Sequence, residues 1–266
     1  MDSNWRQSRR ALFILLFVVV ILGLSAYTVY PYFNKSATCF DNKENGDEKG
    51  VDCGGFCKFL CVTEVLPLTV KTVKAIPSGG NLYDLVALLE NRNKDRDTED
   101  GSIDYTFYVY DKAGSIIKTV SGSTTIPLGQ TFPIIVQNIP IDLSSSNQIT
   151  NVILKISENK NWQSQDSAFA NIFFKIESTD FKEDLNGISQ LEINIKNISK
   201  AYFRNVPVRV IIYDGDRNII AVNESLIKEV SAGSSKDIFF TWREVISVED
   251  PKIEVYSIVT PYTYIK

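Results

Sequence analysis

Residues 103–117, IDYTFYVYDKAGSII, and residues 206–220, VPVRVIIYDGDRNII, are two versions of one pattern. Ile103, Tyr105, Phe107 and Val109 recur at every second position, and Val206, Val208, Val210 and Ile212 hold the same phase in the later run. A period of two puts each foursome on one face of a β-strand. Both runs end in Tyr-Asp, a short polar stretch and then Ile-Ile. Asp111 and Asp214 are placed to accept hydrogen bonds from amides just beyond them, and Gly114 offers a positive φ, so each stretch predicts a β-hairpin. These aspartates read as turn residues and not as catalytic carboxylates. Tyr110 and Tyr213 read as half-buried packing residues.

The repetition extends outward from this hairpin. Leu89–Asn93 (LENRN) matches Ile193–Asn197 (INIKN), and Pro127–Gly129 before Phe132–Val136 matches Ser231–Gly233 before Ile238–Phe240, at an offset of 103–104 residues. Beyond Val62 helical periodicity disappears. Short apolar runs recur between clusters of Gly, Asn, Asp and Ser, as in β-sandwiches. The expectation is a mainly β chain with two tandem β-sandwich domains, 62–163 and 164–266. Glu158–Ser167 (ENKNWQSQDS) reads as a polar linker, and Lys94–Asp100 (KDRDTED) as an exposed, solvated loop inserted in the first copy. The Phe-x-Val-Tyr-Asp and Val-x-Ile-Tyr-Asp runs resemble the signature of FxLYD-type domains. That resemblance implies an immunoglobulin-like sandwich in an extracytoplasmic prokaryotic protein, and it brings no catalytic residues.

Residues 11–30, ALFILLFVVVILGLSAYTVY, contain no charge. Twenty helical residues span about 30 Å, the thickness of a bilayer's hydrocarbon core. Arg6, Arg9 and Arg10 precede the segment and the first basic residue after it is Lys35. By the positive-inside rule residues 1–10 form a cytoplasmic tail, residues 11–30 a transmembrane helix, and everything beyond lies outside the cell. Trp5 on one side and Tyr27, Tyr30 and Tyr32 on the other fit an aromatic belt. A cleaved signal peptide with Leu24-Ser25-Ala26 at its cleavage site is the rival reading, although the apolar run exceeds the usual length. In both cases the bulk of the chain is extracytoplasmic.

All four cysteines, Cys39, Cys53, Cys57 and Cys61, fall in the neck, residues 31–61. Outside the cytoplasm a clustered, even set reads as two disulfides, with three pairings open. So short a segment buries little apolar surface, and covalent staples stand in for a core. The competing zinc-thiolate reading lacks the usual spacing. Inside the first cysteine loop Asp41, Asn45, Gly46, Asp47 and Asp52 fall at positions 1, 5, 6, 7 and 12 of an EF-hand-type calcium loop. Lys43 occupies position 3, and Asp52 stands where a longer Glu is usual. A weak Ca2+ site at Asp41, Asn45, Asp47 and Asp52 and a plain, disulfide-closed polar turn both remain open. The run from Cys39 to Cys57 (CFDNKENGDEKGVDCGGFC) resembles a module of predicted surface proteins in small-genome prokaryotes, where it follows an anchor segment and precedes β-sandwich domains. Asn42 stands where the common form has Gly, a mild departure because Asn also tolerates left-handed turns.

The chain has no histidine and a net charge of −4. The first excludes Ser-His-Asp and Cys-His catalysis and His-ligated metals. The second argues against nucleic acid as a partner. No catalytic constellation or phosphate loop is present, and Asp97 and Asp100 lack the setting of an acid pair, so no enzyme activity and no cofactor besides Ca2+ are expected. Two roles stand: a membrane-anchored structural or adhesive protein whose partners are the bilayer, through residues 11–30, and a protein or glycan outside the cell; or an accessory subunit of a secretion, pilus or division apparatus. Asn34, Asn197 and Asn223 lie in Asn-x-Ser sequons, of which Asn197 reads better as a turn residue.

Overall fold

Alternating apolar residues become strands where an adjacent strand satisfies their backbone groups, and most of this chain follows that rule. The computed structural model describes residues 3–33, 38–143, 148–157, 161–183, 188–248, 250–261 and 263–265; the Asn34 sequon lies outside the described residues. Two compact units divide the chain, Met1–Cys57 and Lys58–Lys266.

The first unit holds one long helix, α1 (Ser3–Phe33), and most of the cysteine segment. Within it Arg9–Tyr30 is long and apolar enough to cross a membrane, and none of that span is buried against protein.

The second unit is built of antiparallel strands. In its first half these are β1 (Thr69–Gly79), β2 (Leu82–Glu90), β3 (Arg96–Thr98), β4 (Ser102–Asp111), β5 (Ile116–Thr125), β6 (Thr131–Pro140), β7 (Ile149–Ile156) and β8 (Trp162–Ser164). In its second half they are β9 (Phe174–Glu183), β10 (Ser189–Asn197), β11 (Tyr202–Tyr213), β12 (Ile219–Val230), β13 (Ser235–Trp242), β14 (Lys252–Ser257) and β15 (Tyr264–Ile265). The sheets of the first half run β1-β2-β6 and β5-β4-β7, and those of the second run β9-β10-β13 and β12-β11-β14. The order is the same in both halves. So is the register, since Phe107 lies opposite Val120 and Leu154, and Val210 opposite Asn223 and Val255.

Both hairpins form as their turn chemistry predicts. Asp111 Oδ1 accepts the amides of Ala113 and Ser115 at 2.9 Å, and Gly114 has φ 78°. Asp214 Oδ1 accepts the amide of Asn218 at 2.7 Å, while Arg217, at φ 64°, takes the left-handed place of Gly114. Three details differ from the sequence reading. The amide of Asn91 donates to Gln130 O as that of Asn197 donates to Ser234 O, so Asn91 and not Asn93 is the counterpart of Asn197. Asparagines flank both strand ends, and only the ladder to the next strand fixes which pair is equivalent. Arg96–Thr98, expected in an exposed loop, pairs with Trp162–Ser164, expected in a linker; Asp97 and Thr98 are fully buried there. Ladder hydrogen bonds and the shelter of Trp162 override a polar composition. Tyr213 is buried where Tyr110 is only half-buried.

The burial of Tyr213 follows from how the sheets stack. Leu85, Ala87 and Leu89 of β2 face Phe107 and Val109 of β4 across one core. Val206, Val208, Val210 and Ile212 of β11 face Leu191, Ile193 and Ile195 of β10 across another. The opposite faces of β2 and β11 are covered as well: Ile76 and Val86 pack on Ile211, Tyr213, Ile219 and Val222 in a third core. Strands buried on both faces lose their alternation and read as continuous apolar runs. Arg209 crosses this third layer, 7 % exposed, donating through Nη1 to Pro133 O at 2.7 Å, through Nη2 to Thr124 Oγ1 at 3.0 Å and through Nε to Glu224. Tyr213 and Tyr256 both donate to Glu254 Oε2, at 3.0 and 2.6 Å, so its polar atoms are also satisfied.

Candidate functional site

In the neck Cys39 and Cys57 are bridged, with Cα atoms 5.7 Å apart, and Cys53 and Cys61 are disulfide-bonded too. No cysteine among the described residues is free. The sulfurs of Cys39 and Cys57 beside Glu48 therefore offer no thiolate, which removes the zinc-thiolate alternative. Asp52 clamps the start of the loop: its Oδ1 accepts the amide of Asp41 and its Oδ2 that of Asn42, both at 2.9 Å. Asp41 accepts the amide of Lys43 and the side-chain amide of Asn45, both at 3.0 Å. Asn45 Oδ1 is buried with no partner. Of the four calcium-loop residues the structure joins Asp41, Asn45 and Asp52; the exposed Asp47 is outside this network. Left-handed backbone makes the turn, with Asn42 at φ 57° and Gly46 at φ 63°. A Cβ on Gly55 would meet Asp47 O at 1.7 Å, so only glycine fits there.

Asn197 is fully buried and donates to Ala201 O and Ser231 O at 2.7 and 3.1 Å, which makes it the turn residue its sequence position suggested. Asp97 was not foreseen as special. Its Oδ1 accepts the amide of Thr98 at 2.8 Å, and its Oδ2 is buried without a partner. Burial, aided by the nearby Asp100 carboxylate and opposed by the Thr98 amide, pushes its carboxyl up from 3.8 to about 7.

A second buried carboxylate opens onto a cleft. On one side of Asp84 the β1 strand carries an extra residue, Ser78; on the other β6 carries a bulge in which Gln137 and Asn138 oppose Asp84 alone. Asn138, at φ 57°, loses its ladder partner and donates its amide to Asp84 Oδ1 at 2.8 Å. Asp84 is 4 % exposed, and burial raises its carboxyl above the usual range, against the lowering effect of the Asn138 amide and the Ser78 hydroxyl. Among the described residues no ion pair neutralises it. It faces a cavity of about 850 Å3 whose walls come from both halves of the second unit. Gln137 bonds Asn223 across it at 3.3 Å, and Phe239 stands on it with 63 % of its surface exposed. Bulges, a left-handed non-glycine residue and a desolvated acid gathered at one cleft make it a candidate site.

No protein-family model matches the chain, and no curated protein sequence matches it. Among solved structures it is similar to red sea bream transglutaminase, at 9 % identity and a TM-score of 0.24 over 73 % of this chain and 29 % of that one. It is similar to Bacteroides uniformis beta-glucuronidase 2 at 11 % identity and a TM-score of 0.19 over 62 % and 22 %. The N-terminal CBM22-1-CBM22-2 tandem domain of Paenibacillus barcinonensis Xyn10C aligns at 9 % identity and a TM-score of 0.12 over 71 % and 85 %. The chain spans less than a third of the length of the first two.

Proposed function

We propose that the chain is a membrane-anchored, extracytoplasmic binding or structural protein that presents two immunoglobulin-like β-sandwich domains on a disulfide-stapled neck. The observation that carries this reading is the sequence of parts: Arg6, Arg9 and Arg10, then an unburied apolar stretch without charge, then disulfide-bonded cysteines. Disulfides persist where thiols are oxidised, which is outside the cytoplasm. The shared strand order of the two halves supports a duplicated sandwich. Protease added to intact cells is expected to digest the chain beyond the helix and to leave residues before Arg10 inside. Full protection overturns the orientation, and release of the undigested chain from membranes without added protease points to a cleaved signal peptide.

In this reading the neck takes up calcium weakly. The carboxyl oxygens of Asp41 and Asp52 keep lone pairs beyond those their amide bonds use, and Asn45 Oδ1 has no other partner. Affinity in the millimolar class of extracellular modules corresponds to about 4 kcal/mol, enough to stiffen the loop. Titrating calcium into the full chain in nanodiscs is expected to shift the amide resonances of Asp41 and Asn42, and Asp52→Ala to abolish the shift. Unmoved resonances at millimolar calcium make these acids loop staples only.

A further inference from the structure

The cleft at Asp84 has a chemistry that none of the preceding roles uses. We propose that it binds a primary ammonium group, such as a lysine side chain displayed by a peptide or protein, with Asp84 as the counter-ion at its base. Three observations point to that ligand. A carboxylate 4 % exposed ordinarily has a cationic partner, and Asp84 has only the Asn138 amide, while the Ser78 hydroxyl lining the same cleft is buried without a partner. The described lining carries Asp84, Glu224 and Glu244 against a single basic residue, Arg243, which is exposed. Glu224 is held by Arg209, so the uncompensated charge lies at Asp84 and Glu244.

The walls fit the rest of a lysine. Phe239 and Val245, 63 % and 44 % exposed, stand with Ile220 along the cleft and offer apolar surface to a methylene stem whose charged end reaches inward. Exposed apolar side chains beside a polar base are the arrangement expected of a site that grips a long amphipathic group. A compact ammonium with three donors suits a carboxylate that holds one backbone amide at Oδ1 beside the unpartnered, buried Ser78 hydroxyl; a divalent metal wants six or more oxygens, and of the other carboxylates lining the cleft Glu224 is already engaged by Arg209. The bulges on both neighbouring strands turn the carboxylate toward the cleft instead of leaving it in a flat ladder.

The test uses the full chain in nanodiscs and the indole N–H resonance of Trp242, which lines the cleft and donates to Val222 O at 2.9 Å. N-acetyl-lysine methylamide is expected to move this resonance saturably, while the norleucine analogue, which keeps the four-carbon stem and lacks the ammonium, does not. Asp84→Asn is expected to weaken binding at least tenfold, an amount worth about 1.4 kcal/mol. Because Asp84 also holds the β6 bulge, a second variant guards against misfolding: Glu244→Gln, at an exposed position, is expected to weaken binding severalfold with an unchanged melting temperature. Equal shifts from lysine and norleucine compounds, no shift at all, or undiminished binding in both variants overturn the proposal. A response to calcium chloride and not to the amine replaces the ligand class and overturns it too.

Discussion

Replacing Asp97 by asparagine is expected to remove most of the chain's loss of stability between pH 4 and neutrality. The carboxyl titrates near 3.8 when unfolded and at about 7 when folded, so between those values the native state binds the extra proton. Stability is therefore greatest below the lower value, falls as pH rises through the window, and is level above about 7. A difference of this size corresponds to roughly 4 kcal/mol, a large share of the stability of an ordinary domain. Urea melts at a series of pH values are expected to show the native chain weakening as pH rises while Asp97→Asn stays nearly flat and is the more stable of the two at pH 8. The amide keeps an acceptor for the Thr98 N–H and leaves one donor unpaired, a smaller penalty than a buried anion. A native profile that strengthens with pH over the same window defeats this account of Asp97.

Arg209→Met is expected to give the second large effect, a loss of about 3 kcal/mol with a change in the form of the transition. The guanidinium satisfies Pro133 O and Thr124 Oγ1 from one half and Glu224 from the other, and its removal leaves three acceptors without their donor. Methionine retains much of the apolar stem, so packing contributes little to the loss. The remaining third core is small, and the halves are expected to melt as two steps instead of one, seen as a lower and broader slope in denaturant. Arg209→Lys keeps the charge without the fork and is expected to fall between the two. An unchanged midpoint and slope in Arg209→Met mean that the halves are held together without it.

Much of the fold was legible in residue order. The period-two runs on β4 and β11, the Tyr-Asp hairpins and the repeat all reflect local geometry, which a sequence carries directly. The bonded state of the cysteines was legible too, because clustering and position speak to redox environment. The cleft was not, since it forms where β1, β6, β12 and β13 meet, far apart in the chain. A trace of it existed. Asp84 in LYDLVALL and Arg209 in VPVRVIIY are lone charges inside runs that are otherwise apolar on both faces. A charge so placed must be solvated by a bulge, a partner or a ligand, and each of these two marks the surface where the halves meet. Asp97 was hidden for the opposite reason: its charged neighbours made a strand look like a solvated loop.

The covering of β2 on both faces has a consequence for synthesis at the ribosome. Val86 and Ile76 belong to the half made first, and the residues that cover them, Ile211 and Tyr213, follow far later. At ordinary elongation rates the wait is about 10 s, long compared with the collapse of a small β domain. During that wait the nascent first half shows a flat apolar sheet face to whatever is nearby, including the same face on a neighbouring nascent chain. Expression of the first half alone is thus a route to aggregates.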